Sequence, residues 1–364
     1  MNSIQNDNME LNMNYYVNEN IKNTYRIFPG QGRYDFARYD LNENPEGLPK
    51  EFVDCVLSEI TPEFLAIYPE PNRFIEKYAK HIGVAFENVL PTNGSDMAIR
   101  YILETFGEKD KKVVTVAPTF EMYAVNCNIL GLKHSPVSYK DDLTIDVNDI
   151  IKAIDNDTRI VALVNPNNPI GNVYSKSEIV SIVEKAKSIG AIVIVDEAYH
   201  YFCPETFVDE IKNYDNVLIL RTFSKLFSIA ACRIGIIISN PTIINYIKNG
   251  KLTFDVNSIA LLFAERLLDH PEIMQQLIND EREGKQYTIS ELEKHGYNCK
   301  SCAGNYIFVK PKNDAKFIVE KLATEKKLLV HGFGNPLLKD QIRVSIGSKK
   351  AMEKFIEIFL DADK

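Results

Sequence analysis

Five short runs of Val and Ile cross the middle of the chain: Val113–Ala117, Ile160–Val164, Ile192–Val195, Val217–Leu220 and Ile234–Ile238. Each is bounded by Pro, Asn, Asp, Ser or Gly, which is how a strand buried on both faces reads. Between them lie amphipathic stretches. The clearest, Ser177–Ser188, gathers Ile179, Val180, Ile182, Val183 and Ala186 on one helical face, with Ser175 or Ser177 to cap its start and Gly190 to end it. Strand and helix in alternation predict an α/β layer around a mostly parallel sheet. Ligands in such sheets sit at the C-terminal ends of the strands.

A chain of 364 residues suggests two domains, at roughly 100–200 residues per domain. From about Leu252 the pattern changes. A long helix is followed by a strand (Tyr306–Val309), a helix (Ala315–Glu325), two strands (Leu328–Val330 and Ile342–Ser345) and a last helix (Lys349–Leu360), which reads as a separate α+β domain. Residues 1–20 are polar and Asn-rich and are expected to be disordered or loosely attached. No stretch approaches the ~20 apolar residues that span a bilayer, and no basic segment followed by an apolar run opens the chain. A membrane partner and a signal peptide are therefore not expected. The net charge of −8 argues against nucleic acid as the main partner.

The six cysteines are scattered rather than dense, which fits a reduced, cytoplasmic setting. Cys299 and Cys302 have CxxC spacing, but they follow Gly296 and precede a strand instead of opening a helix. No second such pair or His pair completes a metal set, so no metal is expected.

Four motifs follow one another at predicted strand ends: Asn165-Pro-Asn-Asn-Pro-Ile-Gly171, Asp196-Glu-Ala-Tyr199, Thr222-Phe-Ser-Lys225 and Arg233-Ile-Gly235. Singly, each has an ordinary explanation in turn or cap chemistry. Jointly they gather a lysine, an acid, an Asn, a Tyr, an Arg and several hydroxyls at one sheet edge. Pyridoxal 5′-phosphate (PLP) asks for that inventory. Its aldehyde needs an amine of lowered pKa, its pyridine nitrogen a carboxylate, its phenolate hydrogen-bond donors, and its phosphate Arg, hydroxyls and helix N-terminal amides.

Further segments complete the pattern: Leu41-Asn-Glu-Asn-Pro45, Ile67-Tyr-Pro-Glu70, Thr92-Asn-Gly-Ser-Asp96, Ala117-Pro-Thr-Phe-Glu-Met-Tyr123, Asn305-Tyr-Ile307 and Ile342-Arg-Val-Ser345. With them the chain resembles the fold-type I aminotransferases, and among these the histidinol-phosphate aminotransferases, over about residues 38–350. The resemblance implies roles for particular residues. Lys225 would carry PLP as a Schiff base and shuttle the proton between Cα and C4′. Asp196 would pair with the pyridinium nitrogen, and Asn168 and Tyr199 would hydrogen-bond O3′. Tyr123 would stack on the ring. Ser95, Asp96, Thr222, Ser224 and Arg233 would hold the phosphate, with Tyr68 arriving from a second copy in a homodimer. Arg343 would clamp the substrate carboxylate, with Asn42, Asn305 and His331 on the substrate side.

Two departures stand out. The family's Ala-Gly-Leu-Arg is Ala230-Ala-Cys-Arg233 here, and His331 in Leu329-Val-His-Gly-Phe333 stands where the family has a substrate-contacting Arg. The second departure turns the expectation away from histidinol phosphate, unless Arg26 or Arg33 substitutes. The expected fold is a large PLP-binding α/β domain over 48–255, with a smaller α+β domain built from 1–47 and 256–364. The expected activity is amino transfer between a small-molecule donor, glutamate, and a small keto acceptor, phosphorylated or not. A PLP decarboxylase of a phosphorylated amino acid is the alternative within the same chemistry. A PLP-binding protein without turnover and a sugar-ring aminotransferase stand further off, because Lys225, Asp196 and Arg343 are all in place.

Overall fold

The structure, a computed structural model, describes residues 15–24, 26, 28 and 30–364. It contains two sheets. The first strand, β1 (Ala37–Tyr39), belongs to the smaller sheet. The next seven form the larger one: β2 (Val89–Asn93), β3 (Lys112–Ala117), β4 (Lys133–Ser138), β5 (Thr158–Val164), β6 (Ile192–Asp196), β7 (Val217–Thr222) and β8 (Ile234–Ser239), in the spatial order β2-β8-β7-β6-β5-β3-β4. Strands β4, β3, β5, β6 and β7 are parallel, whereas β8 runs antiparallel to both β7 and β2. The five Val/Ile runs are β3 and β5 to β8, and most of their residues are fully buried. Helices cover both faces, so the strands carry no polar alternation.

The helix Lys176–Lys187 starts at Ser175, whose hydroxyl accepts from the Glu178 amide while the Glu178 carboxylate accepts from the Ser175 amide. That reciprocal pair satisfies two otherwise free amides at the helix start.

The smaller sheet comprises β1 with β9 (Asn298–Ser301), β10 (Tyr306–Lys310), β11 (Leu328–Gly332) and β12 (Ile342–Ser345), in the order β1-β11-β12-β10-β9. Strand β1 pairs in parallel with β11, which joins the N-terminal segment to the C-terminal third. The expected long helix after Leu252 is two helices, Ser258–Asp269 and Pro271–Lys294. Pro271 accounts for the break: it cannot continue a helix, and it suits the first position of a new one. Helix Ser258–Asp269 buries Ala260, Leu261, Phe263, Ala264 and Leu267 in the core of the larger sheet. This helix, which follows the expected divide at 255/256, thus packs with the larger sheet.

Residues 1–14 of the polar tail lie outside the described residues. Of residues 15–20, expected to be loose, 19 and 20 open a short helix, Glu19–Lys22, capped by Asn18. Thr24 just beyond it accepts a hydrogen bond from Asn128. Among the described residues, no helix is long and apolar enough to cross a membrane.

Candidate active site

Strand direction assembles the site. Strands β5, β6 and β7 end at one edge of the sheet, delivering Asn168, Asp196 and, through Thr222, Ser224 and Lys225. Because β8 runs the other way, its start lies at that same edge, and Arg233 immediately precedes it. Strand β2 is antiparallel to β8, so its end also arrives there and leads directly into helix Gly94–Phe106, with Ser95 and Asp96 in the first turn.

These groups line a cavity of about 330 Å³, together with Leu41, Glu43, Phe120, Val164, Ala198, Tyr199, Ala230 and Ala231. Lys225 Nζ donates to the Leu41 carbonyl at 2.8 Å. Burial, and then the nearby Arg343 cation, lower its pKa to about 8. Asp196 is fully shielded, and burial pushes its carboxyl up to about 6 against the opposing pull of its Tyr123 and Ala198 hydrogen bonds.

At the other end of the cavity is a cradle of backbone and hydroxyl groups. Gly94 has φ +73°, and a Cβ there would lie 2.5 Å from Arg233 Nη2. A Cβ on Gly235 would meet Gly94 C and Ser95 N at 2.5 Å, so the helix start packs directly on the β8 backbone. Arg233 takes the left-handed conformation at φ +55° and reaches Asp96 at 3.3 Å. The Ser224 amide donates to Thr222 Oγ1 at 3.1 Å, and the Thr222 hydroxyl donates to Ser224 Oγ at 3.0 Å. A cation, two hydroxyls and the N-terminus of a thirteen-residue helix form a site for a phosphate.

Arg343 on β12 is buried. Its Nη1 donates to Asn168 Oδ1 at 2.6 Å and its Nη2 to the Asp40 carbonyl at 2.8 Å, leaving Nε without a partner. Asn42, at φ +56°, donates through Nδ2 to the Tyr199 hydroxyl oxygen at 2.9 Å. Among the described residues, the Tyr199 hydroxyl and the Asn168 amide oxygen act only as acceptors, which leaves their hydrogens to a ligand oxygen. His331 stands opposite Arg343 in the β11–β12 pairing. Burial, then the Arg343 charge, lower its imidazole to about 4, so it is neutral at neutral pH.

Several expectations change. Tyr123 is not over the cavity. It is fully buried behind Asp196, to which its hydroxyl donates at 2.9 Å, and Phe120 lines the cavity in its stead. Both aromatics lie in Ala117–Tyr123, and the sequence does not say which one turns inward. Asn305 donates to the Asn42 carbonyl and lines a second cavity, which Lys225 also borders. Tyr68 lies away from the cavity, 73% exposed and stacked on Phe254. Neither candidate substitute for the missing arginine is free: Arg33 is held by Asp40 and Glu43, and Arg26 lies over Phe28 and donates to Met122 Sδ. The Cys299 and Cys302 thiols are pushed up to about 12 by burial, the opposite of a reactive pair.

The donor set fits PLP. A buried carboxylate, an amine of lowered pKa, two free donors beside them, an aromatic wall and an anion cradle share one cavity.

Residues 42–359 match the family described as aminotransferase class I and II. A histidinol-phosphate aminotransferase of Thermoanaerobacter sp. (strain X514) is 33% identical, covering 93% of this chain and 96% of its own. The same-named protein of Clostridium novyi (strain NT) is 32% identical, covering 90% and 91%. The crystal structure of the Sinorhizobium meliloti histidinol-phosphate aminotransferase, in complex with pyridoxal-5′-phosphate, superposes with a TM-score of 0.84 over 95% of this chain and 98% of that one, at 20% identity.

Proposed function

Since this chain belongs to the class I and II aminotransferases, and so is a PLP-dependent transaminase, we propose that Lys225 carries the cofactor and that the enzyme moves an amino group between glutamate and a short keto acceptor. The observation that carries this reading is one cavity holding the low-pKa amine of Lys225 and the buried carboxyl of Asp196. When bound, PLP supplies an electron sink that acidifies the substrate Cα–H.

Each residue has a task. Asp196, as a carboxylate, accepts a hydrogen bond from the ring nitrogen and keeps it protonated. Tyr199 and Asn168 donate to the phenolate oxygen, each already oriented by a second partner, Asn42 and Arg343 respectively. Phe120 lies against the ring. Ser95, Thr222, Ser224, Arg233 and the first amides of helix Gly94–Phe106 hold the phosphate, with Asp96 orienting Arg233. Lys225, with a pKa of about 8, has a neutral fraction near neutral pH and can take the proton from Cα and return it at C4′. Arg343 would exchange the Asp40 carbonyl for a substrate carboxylate, a planar pairing that its free Nε also favours.

The acceptor is read from His331. A neutral imidazole beside Arg343 offers no fixed charge to a distal phosphate. This favours a short keto acid, or a three-carbon keto phosphate anchored elsewhere, over histidinol phosphate. Borohydride reduction followed by peptide mass spectrometry should place the cofactor on Lys225; an adduct on another lysine would end this reading. Steady-state kinetics with glutamate and histidinol phosphate as competing donors test the substrate. Histidinol phosphate turnover at ~10⁴ M⁻¹s⁻¹ or above would sink the proposed acceptor class.

We also infer a homodimer. Leu65, Ile67, Tyr68, Leu252 and Phe254 are all more than half exposed, an apolar set that a second copy would cover, with Tyr68 reaching the partner's phosphate. The large unit would run from about 48 to 270 and the small one from 271 together with the N-terminal segment. Six free cysteines suit a cytoplasmic setting.

A further inference from the structure

Two residues beside the site face away from it. Successive residues of a strand point to opposite faces. Asp196 and Thr222 face the cavity, so their neighbours Glu197 and Arg221 turn to the reverse side of the sheet edge. There they meet. Arg221 Nε and Nη2 both donate to Glu197 Oε2, at 3.0 and 2.8 Å, and the side chains are 5% and 1% exposed. Glu197 also accepts from the Phe207 amide at 2.6 Å and from the Thr206 hydroxyl, and Arg221 Nη2 reaches Thr206 Oγ1 at 2.8 Å. Both carboxylate oxygens and the guanidinium fork are thereby engaged. Tyr78, on helix Asn72–Ile82, lies close enough to the guanidinium to feel its charge.

A buried ion pair adds little net stability, because removing both charges from water offsets their attraction. What it provides is fixed geometry. This pair ties the residue that follows β6 and the penultimate residue of β7 to each other and to the 206–207 loop, one residue from Asp196 on one side and one residue from Thr222 on the other. We propose that Glu197 and Arg221 are positioning residues for the cofactor site, setting the spacing between the carboxylate that holds the ring nitrogen and the Thr222–Lys225 segment that holds the phosphate and the amine. The proposal rests on the assignment of Asp196, Thr222 and Lys225 to PLP.

The test compares wild type, Glu197→Gln, Arg221→Lys and the double variant Glu197→Gln/Arg221→Met. The readouts are the melting temperature without cofactor and the PLP dissociation constant from absorbance titration. Both single variants should melt lower and bind PLP at least tenfold more weakly, since each leaves a buried group with a poorer partner. The double variant removes both charges. It should regain the melting temperature while PLP binding stays at least tenfold weakened. Recovery of PLP affinity along with the melting temperature would overturn the proposal. So would single variants that melt lower yet bind PLP as wild type does. A double variant that stays as unstable as the singles would overturn it too, because the pair would then be holding the fold itself. Should a single variant fail to fold, the double variant decides. Reduction of the wild-type protein separates the two layers: a cofactor found away from Lys225 refutes the site assignment, whatever the variants do.

Discussion

Tyr123 donates its hydroxyl hydrogen to Asp196 Oδ2 across 2.9 Å, and neither side chain has meaningful contact with water. The tyrosine holds the carboxyl from behind, on the side away from the cavity. Its hydrogen bond favours the ionised carboxylate against the penalty of burial.

Tyr123→Phe removes that support without changing the ring. A hydrogen bond to a charged group contributes about 1.5–3 kcal/mol, so turnover should fall by roughly tenfold to a hundredfold. Steady-state kinetics would measure it. PLP affinity should fall more steeply below neutral pH in the variant than in wild type, because the Asp196 carboxyl takes up its proton at higher pH.

Asp196 gives a pH-linked prediction in the cofactor-free protein. Its carboxyl rises from 3.8 in the unfolded chain to about 6 in the fold. Between those values the folded state binds more protons than the unfolded one, so this group lowers stability as pH rises through about 4 to 6. Asp196→Asn should therefore melt higher than wild type without cofactor at pH 7–8, by a stabilisation of order 1–3 kcal/mol, and the gain should fade towards pH 4. Catalysis should be lost at every pH. Thermal melts across pH 4–8 would check it, and a gain that grew towards acid would contradict the sign.

Arg343→Gln should raise KM for glutamate and lower kcat/KM by about a hundredfold or more, as two charge-assisted hydrogen bonds are lost. It should also raise the pKa of the Lys225 amine in the cofactor-free protein, since the Arg343 cation is one of the causes that lower it. Titration of amine reactivity towards an acylating reagent would detect that rise.

Gly235→Ala places a methyl 2.5 Å from Gly94 C and Ser95 N. Backbone cannot give way as a flexible side chain can, so helix Gly94–Phe106 must shift. A stability loss of about 1–3 kcal/mol is expected, together with weaker binding of both PLP and inorganic phosphate. Calorimetric titration of the two ligands would show whether the cradle is the part that suffers.

Asn168, Asp196, Lys225 and Arg233 are legible in the sequence because each stands beside an apolar run, and the strand ends of an α/β sheet share an edge. The reversal of β8 is not legible, yet it is what brings Arg233 to that edge. Strands β2 and β4 escape a reading by pattern for one reason: they are the two edge strands, and they carry Pro91 and Pro136, which mark turns more often than strands. The exchange between Phe120 and Tyr123 is hidden because both are aromatics in one loop-to-helix segment, and only packing decides which of them faces the cavity. Arg343 is legible as a motif, whereas the neutrality of His331 follows from burial next to a cation that lies twelve residues further along the chain.

The reversed strand has one more consequence. Lys225 follows the end of β7 and Arg233 precedes β8, so the amine proposed to bond the cofactor and the cation proposed to hold its phosphate are carried by a single connection between neighbouring strands. That connection acts as a ruler. Its two ends are pinned by the β7–β8 register, where Thr222 faces Gly235. A deletion or insertion there would leave the sheet intact and the enzyme unable to hold both ends of its cofactor at once.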